Sequence, residues 1–310
     1  MRALVYTAPG HVELQDVDEP VANEGEVVVQ VKASGICGSE LHGFRHAGFR
    51  VPPLVMGHEF AGVTADGRRV AVNPLVACGE CDLCHLARPY LCRTRAVLGI
   101  HRPGAFAERV VVPEELLCDL PADLSFEAGA VVEPLANGVH AWGLVRADEP
   151  ERVAVVGAGT IGLVCLLVAK RNGAHVTVVD LAPERLEWAE RLGADRTAVS
   201  LDGEYDVVFD AVGAAPTRAA SVAALRPGGT AVWLGLLAPE PGFDALDLVR
   251  MEKRVTGSFA YTRQEFAEAA ELARTTDVSW AQSFPLEAAA DVFMELADGR
   301  TDVVKALVRP

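Results

Sequence analysis

Four cysteines fall within 15 residues, Cys78, Cys81, Cys84 and Cys92, spaced C-x2-C-x2-C-x7-C. Thiolates at that spacing satisfy tetrahedral zinc without help from the rest of the chain, which implies a closed, structural site. The alternatives are that His85 replaces one sulfur, or that these are buried thiols without a metal. A second set of candidates is scattered, as ligands of a catalytic metal usually are. It comprises Cys37 in the segment Gly35–His42, His58 and Glu59 after Gly57, and Glu133 before Pro134. One thiolate, one imidazole and one or two carboxylates leave zinc an open position for water or substrate. Taken singly, Cys37 also reads as a buried thiol, His58 as a core histidine, and Glu133 as a carboxylate at a helix start facing the macrodipole.

A third group is the run Gly157-Ala158-Gly159-Thr160-Ile161-Gly162, which directly follows the apolar strand Val153–Val156 and opens an apolar helix that runs to Gly173. In that context the glycines suit a dinucleotide: the first for the tight turn, the second for approach of the pyrophosphate, the third for close helix–strand packing. Free N–H groups at the helix start supply local positive potential. The next strand, Val176–Val179, ends in Asp180, 18 residues beyond Gly162, where a carboxylate would bind the ribose hydroxyls and repel a 2′-phosphate. Leu181-Ala182-Pro183 offers no cation to receive such a phosphate, so NAD is expected rather than NADP. Arg185, a little further on, is counted with the cofactor-binding residues. The competing role for Asp180 is to cap a helix beginning at Pro183.

These residues need elements to position them. From Met1 to about Glu133 the chain reads as short β-rich segments between Gly and Pro, namely Ala3–Tyr6, Glu26–Ala33, Arg69–Val72 and Ala107–Val112. From about Pro134 to Thr262, strand-like runs (Val153–Val156, Val176–Val179, Asp206–Phe209, Thr230–Leu234, Val255–Phe259) alternate with helical ones such as Pro183–Leu192. That alternation implies a doubly wound parallel sheet with helices on both faces, so the fold class is α/β plus β. The tail carries helical stretches at Gln264–Arg274 and Leu286–Asp298 and a closing strand at Val303–Val308.

The chain of 310 residues is half apolar, enough for about two domains. With 28 Lys plus Arg against 43 Asp plus Glu, its net charge of −15 repels nucleic acid and anionic membranes alike, so neither is an expected partner. Val153–Ala169 is uncharged, but three glycines and a β-branched start fit a buried strand turning into a buried helix better than a membrane span. The first residues form too short an apolar run for a signal peptide, and a cytoplasmic location is expected. Cys118 and Cys165, in apolar surroundings, read as core fillers.

Taken together, the motifs Gly35-Ile36-Cys37-Gly38-Ser39, Gly57-His58-Glu59-Phe60-Ala61-Gly62, the four-cysteine spacing, Gly104-Ala105-Phe106-Ala107-Glu108, Glu133-Pro134-Leu135-Ala136 and the Gly157–Gly162 loop resemble the zinc-dependent medium-chain dehydrogenase/reductase family, in its polyol (sorbitol-like) branch. The resemblance covers nearly the whole chain. It implies a GroES-like catalytic domain over 1–134 with a zinc lobe at about 76–95, an inserted Rossmann domain over 135–262, and a C-terminal segment, 263–310, that completes the catalytic domain. It implies two zinc ions per chain, one catalytic and one structural, with NAD as cofactor, an alcohol as substrate, and a homodimer or homotetramer. Cys37 and His58 match the family's catalytic zinc ligands, and Glu59 and Glu133 match the two glutamates that share or exchange the carboxylate position. Ser39 and His42 match its proton relay. Glu133 stands where classical alcohol dehydrogenases carry cysteine, which points to a polyol or vicinal diol. Phe44, Arg45 and Phe49 are candidate pocket residues. Two departures stand out: Glu40 replaces the usual Asp, so any contact it makes must be rearranged, and the segment between Glu59 and Val70 is short. A zinc-free, NADPH-dependent quinone or enoyl reductase, and a protein that binds NAD and zinc without turnover, are the competing functions.

Overall fold

The computed structural model describes residues 1–46, 48, 50–145, 150–239 and 242–310. The chain forms two units: Met1–Glu133 with Thr262–Pro310, and Pro134–Tyr261. Each division falls one residue before the expected boundary. The first lies inside a helix, Phe126–Gly143, instead of a linker. Glu133 is therefore an interior helical residue and not a helix-start carboxylate.

In the first unit the strand Glu26–Gly35 is central. It pairs antiparallel with Glu59–Thr64 on one side, and with Arg109–Pro113 and Lys305–Arg309 along the other. Val29, Val31 and Ala33 alternate inward, as a strand with one covered face requires, while Gln30 points to solvent. Val29 and Val31 join Phe60, Val70, Val72 and Val110 in one apolar cluster. A second cluster gathers Leu4, Tyr6, Ile36, Phe44, Met56, Phe106 and Phe293. The short connection after Glu59–Thr64 closes as a tight hairpin, with the Thr64 N–H donating to the Arg68 carbonyl at 3.0 Å. One strand has no sequence signal: Ala281–Pro285, parallel to Lys305–Arg309, carries polar Gln282 and Ser283 and is recognised only by its pairing. The helical stretch from Leu286 begins as a 3-10 turn, Leu286–Ala288, before the helix Ala289–Ala297.

The second unit is a six-stranded parallel sheet in the spatial order Arg196–Ala198, His175–Val179, Arg152–Val156, Tyr205–Asp210, Leu225–Trp233, Arg254–Gly257. Within the unit this is the order 3-2-1-4-5-6, with its switch point between Arg152–Val156 and Tyr205–Asp210, where α/β sheets bind ligands. The central strands are buried on both faces, which explains their unbroken Val-rich runs. Among the described residues, no helix is long and apolar enough to cross a membrane.

Candidate active site

The four lobe sulfurs converge. Sγ–Sγ distances are 3.4 Å for Cys92–Cys78, 3.6 Å for Cys81–Cys84, and 3.9 Å for both Cys78–Cys84 and Cys81–Cys92. A zinc tetrahedron with bonds of about 2.3 Å has edges of about 3.8 Å, so the donor set fits zinc. The same distances are far too long for disulfides. N–H groups of Glu80 and Cys81 aimed at Cys78 bring its thiol down to about 6, whereas desolvation and the neighbouring Cys81 thiol push Cys84 up to about 12. Arg93 clamps Asp82 through two bonds of 2.8 Å, joining the residues that follow Cys81 and Cys92. His85 is exposed and lies outside the sulfur group. Cys118 is half-buried, and Cys165 is fully buried with its thiol raised to about 12 by desolvation.

The second cluster is Cys37, His58 and Glu59, whose ligand atoms lie within 4.8 Å of one another. Strand register builds it: Gly35 pairs with Glu59, so the residue two beyond one and the residue just before the other meet at the strand ends. Cys37 caps the short helix Gly38–Gly43, whose third residue, Glu40, is wholly buried. Its Oε2 accepts from the Cys37 N–H at 3.0 Å. Its Oε1 accepts from the Gly57 N–H at 2.9 Å and lies 3.0 Å from His58 Nδ1. A carboxylate there keeps the proton on Nδ1 and leaves Nε2 for the Cys37 side. The rearranged contact expected of Glu40 is thus a three-point bracket over both ligand segments. Gly57 must be glycine, since a Cβ there would stand 2.7 Å from the Phe106 ring.

Charge is arranged to hold a cation. Burial disfavours the His58 imidazolium, but Glu40 and Cys37 outweigh it and raise the pKa well above the usual histidine value. A metal would displace that proton. Glu59 is paired with Lys305, whose Nζ also donates to the Ile36 carbonyl at 3.0 Å. Burial works against the Lys305 charge, yet Glu59 first, then Cys37 and Glu133, lift its pKa above the ordinary lysine value. Glu133 is thus close enough to act on Lys305 but stands outside the group of three. Ser39 is half-buried and His42 exposed, three residues apart on the same short helix.

Sequence reasoning missed Lys305 as a site residue, although a lone lysine inside Val303–Val308 was a usable signal. Phe44 is not a pocket residue: it is fully buried, edge-on to Phe293 at 5.1 Å. Arg45 is engaged with Asp298 at 2.5 Å, and Phe49 lies outside the described residues.

In the second unit the glycine turn has the close packing its motif requires. A Cβ on Gly162 would fall 1.7 Å from the Gly157 carbonyl oxygen, while none of this crowding surrounds Gly159, which has nothing within 4 Å of that position. The helix Thr160–Arg171 starts there, with Ile161 in its first turn. Asp180 Oδ2 accepts from the Ala158 N–H at 2.6 Å and Oδ1 from the Ala182 N–H at 2.9 Å, so it braces the turn. Ala182, not Asp180, occupies the N-cap position of the helix Pro183–Arg191, with no side-chain cap bond, and Arg185 is exposed on that helix. The turn and the carboxylate fit a dinucleotide pyrophosphate and ribose.

Residues 23–122 match the family model for the alcohol dehydrogenase GroES-like domain, and residues 160–275 that for zinc-binding dehydrogenase. The L-galactonate-5-dehydrogenase of Escherichia coli is 30% identical over an alignment 337 positions long, gaps included, covering 99% of this chain and 98% of that protein. The L-threonine 3-dehydrogenase of Rhizobium johnstonii is 34% identical over 268 residues, 76% of each chain. A zinc-binding dehydrogenase structure from Sinorhizobium meliloti, bound to NADP, superposes with a TM-score of 0.93 at 30% identity, covering 100% of this chain and 99% of that one.

Proposed function

The chain belongs to the zinc-dependent medium-chain dehydrogenase family and is an NAD(P)-dependent alcohol dehydrogenase, and on that footing we propose that it moves a hydride from a secondary alcohol to NAD, using one catalytic and one structural zinc per chain. The observation that carries this reading is the convergence of Cys37, His58 and a carboxylate beside a separate four-sulfur group. The substrate class is a polyol, a vicinal diol, or an amino alcohol or aminocyclitol. Glu133 in place of cysteine supports it, as do relatives named for threonine and galactonate, both of which carry a hydroxyl next to another polar group.

Zinc, when bound, supplies the Lewis acidity that lets a hydroxyl of free pKa near ~16 release its proton at neutral pH, and NAD supplies the hydride acceptor. Cys37 and His58 would hold the metal with Glu59 or Glu133 as the carboxylate. Glu40 fixes the imidazole's orientation. Ser39 and His42, on one face of a short helix that leads from half-buried to exposed surroundings, carry the released proton to solvent. Asp180 selects NAD by repelling a 2′-phosphate.

The test is NADH absorbance over a panel of polyols, vicinal diols and amino alcohols beside simple primary alcohols, with zinc counted in the same preparation. The expected result is two zinc per chain and turnover confined to the first group. Zinc-free protein reducing quinones or enones with NADPH would replace this reading with a reductase, and zinc without alcohol-dependent NADH formation would replace it with a binding protein. For the cofactor, Asp180→Gly is expected to narrow the preference for NAD over NADP by about tenfold, one carboxylate–phosphate repulsion of roughly 1.4 kcal/mol. An unchanged ratio of kcat/KM values would remove Asp180 from the cofactor site.

A further inference from the structure

Arg50 is the one fully buried arginine among the described residues. A guanidinium out of water persists only with hydrogen bonds and a countercharge. Its Nη1 donates to the Ser39 carbonyl at 3.1 Å and its Nε to the Gly99 carbonyl at 3.4 Å. Ser39 lies two residues beyond Cys37. Gly99 is pressed onto the peptide before His58, since a Cβ on Gly99 would stand 2.7 Å from the Gly57 oxygen and 2.8 Å from its nitrogen. The same two segments, Cys37–Ser39 and Gly57–His58, are the ones Glu40 brackets from within. Arg50 and Glu40, both wholly buried, also attract one another electrostatically.

We propose that Arg50 is a positioning residue of the Cys37–His58 metal site, which clamps the two ligand-bearing segments at fixed separation through the Ser39 and Gly99 carbonyls and supplies the countercharge of Glu40. The proposal rests on the reading of Cys37 and His58 as metal ligands. It gives a reason for a charged residue just ahead of the apolar run Val51–Met56, where packing alone would place a hydrophobe. Arginine is suited to the task because its rigid planar fork holds two separate carbonyls in a fixed geometry, whereas lysine presents its donors from a single point on a flexible stem.

The experiment uses the full-length, metal-loaded protein with Arg50→Met, Arg50→Lys and the double variant Glu40→Gln/Arg50→Met. It reads the rate at which a chelator removes each metal and the absorption of cobalt(II) at the Cys37–His58 site, with the cysteine lobe as internal control. Arg50→Met is expected to release the Cys37–His58 metal about 10–100-fold faster, with shifted cobalt bands and unchanged release from the lobe. Arg50→Lys should fall in between, and the double variant should recover part of the loss because neither charge is then left alone. Wild-type release and cobalt bands in Arg50→Met, even with a lowered Tm, overturn the proposal and leave Arg50 a packing residue. Where Arg50→Met does not fold, wild-type release in Arg50→Lys overturns it equally. Metal uptake by the unmodified protein at the cysteine lobe alone overturns both this proposal and the ligand reading beneath it, whereas uptake at both sites with unaffected variants overturns this proposal only.

Discussion

Cys37→Ser is expected to lower kcat/KM for NAD-dependent alcohol oxidation by on the order of 10³-fold, while zinc falls from two ions per chain to one. The size follows from what the metal supplies. A Lewis acid contributes several kcal/mol of charge stabilisation, and each 1.36 kcal/mol is about tenfold in rate. A serine hydroxyl is a poor substitute for a thiolate, and His58 with a carboxylate does not retain zinc by itself. The remaining ion should stay in the lobe, because its four sulfurs lie within one segment, Cys78–Cys92, and depend on no residue of the other cluster. Steady-state kinetics, metal analysis and thermal unfolding on one preparation check the three parts together. Turnover within tenfold of wild type after loss of one zinc would mean that the metal at Cys37 is not catalytic, and two zinc ions retained would mean that Cys37 is not a ligand.

Lys305→Met is expected to destabilise the fold by about 3–5 kcal/mol, with most of that recovered in Glu59→Gln/Lys305→Met. The Lys305 and Glu59 side chains are each only 1% exposed, so removing the cation strands a carboxylate in the protein interior. The Ile36 carbonyl also loses its donor. Removing both charges leaves neutral groups of similar volume and avoids the stranded charge. Urea unfolding reads the effect as a drop in the midpoint at unchanged slope. A single variant as stable as wild type, or a double variant no better than the single one, would show that the pair is not the compensated unit described here. The consequence reaches function because Lys305 arrives from the last strand of the chain. The C-terminal segment is needed to neutralise a candidate ligand, beyond completing a sheet.

How much of this was legible in the chain depended on how far apart the partners lie. The lobe and the glycine turn could be read directly, because their groups are neighbours along the chain and local spacing sets their geometry. The alternating strand and helix runs of Pro134–Tyr261 likewise declared a parallel sheet, since strands buried on both faces must be apolar throughout. Cys37 and His58 stood out as types of residue, but no spacing shows that 21 positions are closed by the pairing of Gly35 with Glu59. Glu40 looked like a mere departure from a pattern. Its bracket exists only because Gly57 and His58, 17 and 18 residues away, fold onto it. Lys305 is 246 residues from Glu59, and the strand Ala281–Pro285 has no apolar alternation of its own.

The amino-acid sequence by itself therefore determined the fold class, the sulfur group and the nucleotide turn, each encoded by short-range periodicity, spacing or backbone freedom. Only the tertiary structure decided which buried charges face one another around Cys37 and His58. Compensating a charge out of water is a requirement on spatial neighbours, and strand register, which chooses those neighbours, is set by long-range pairing.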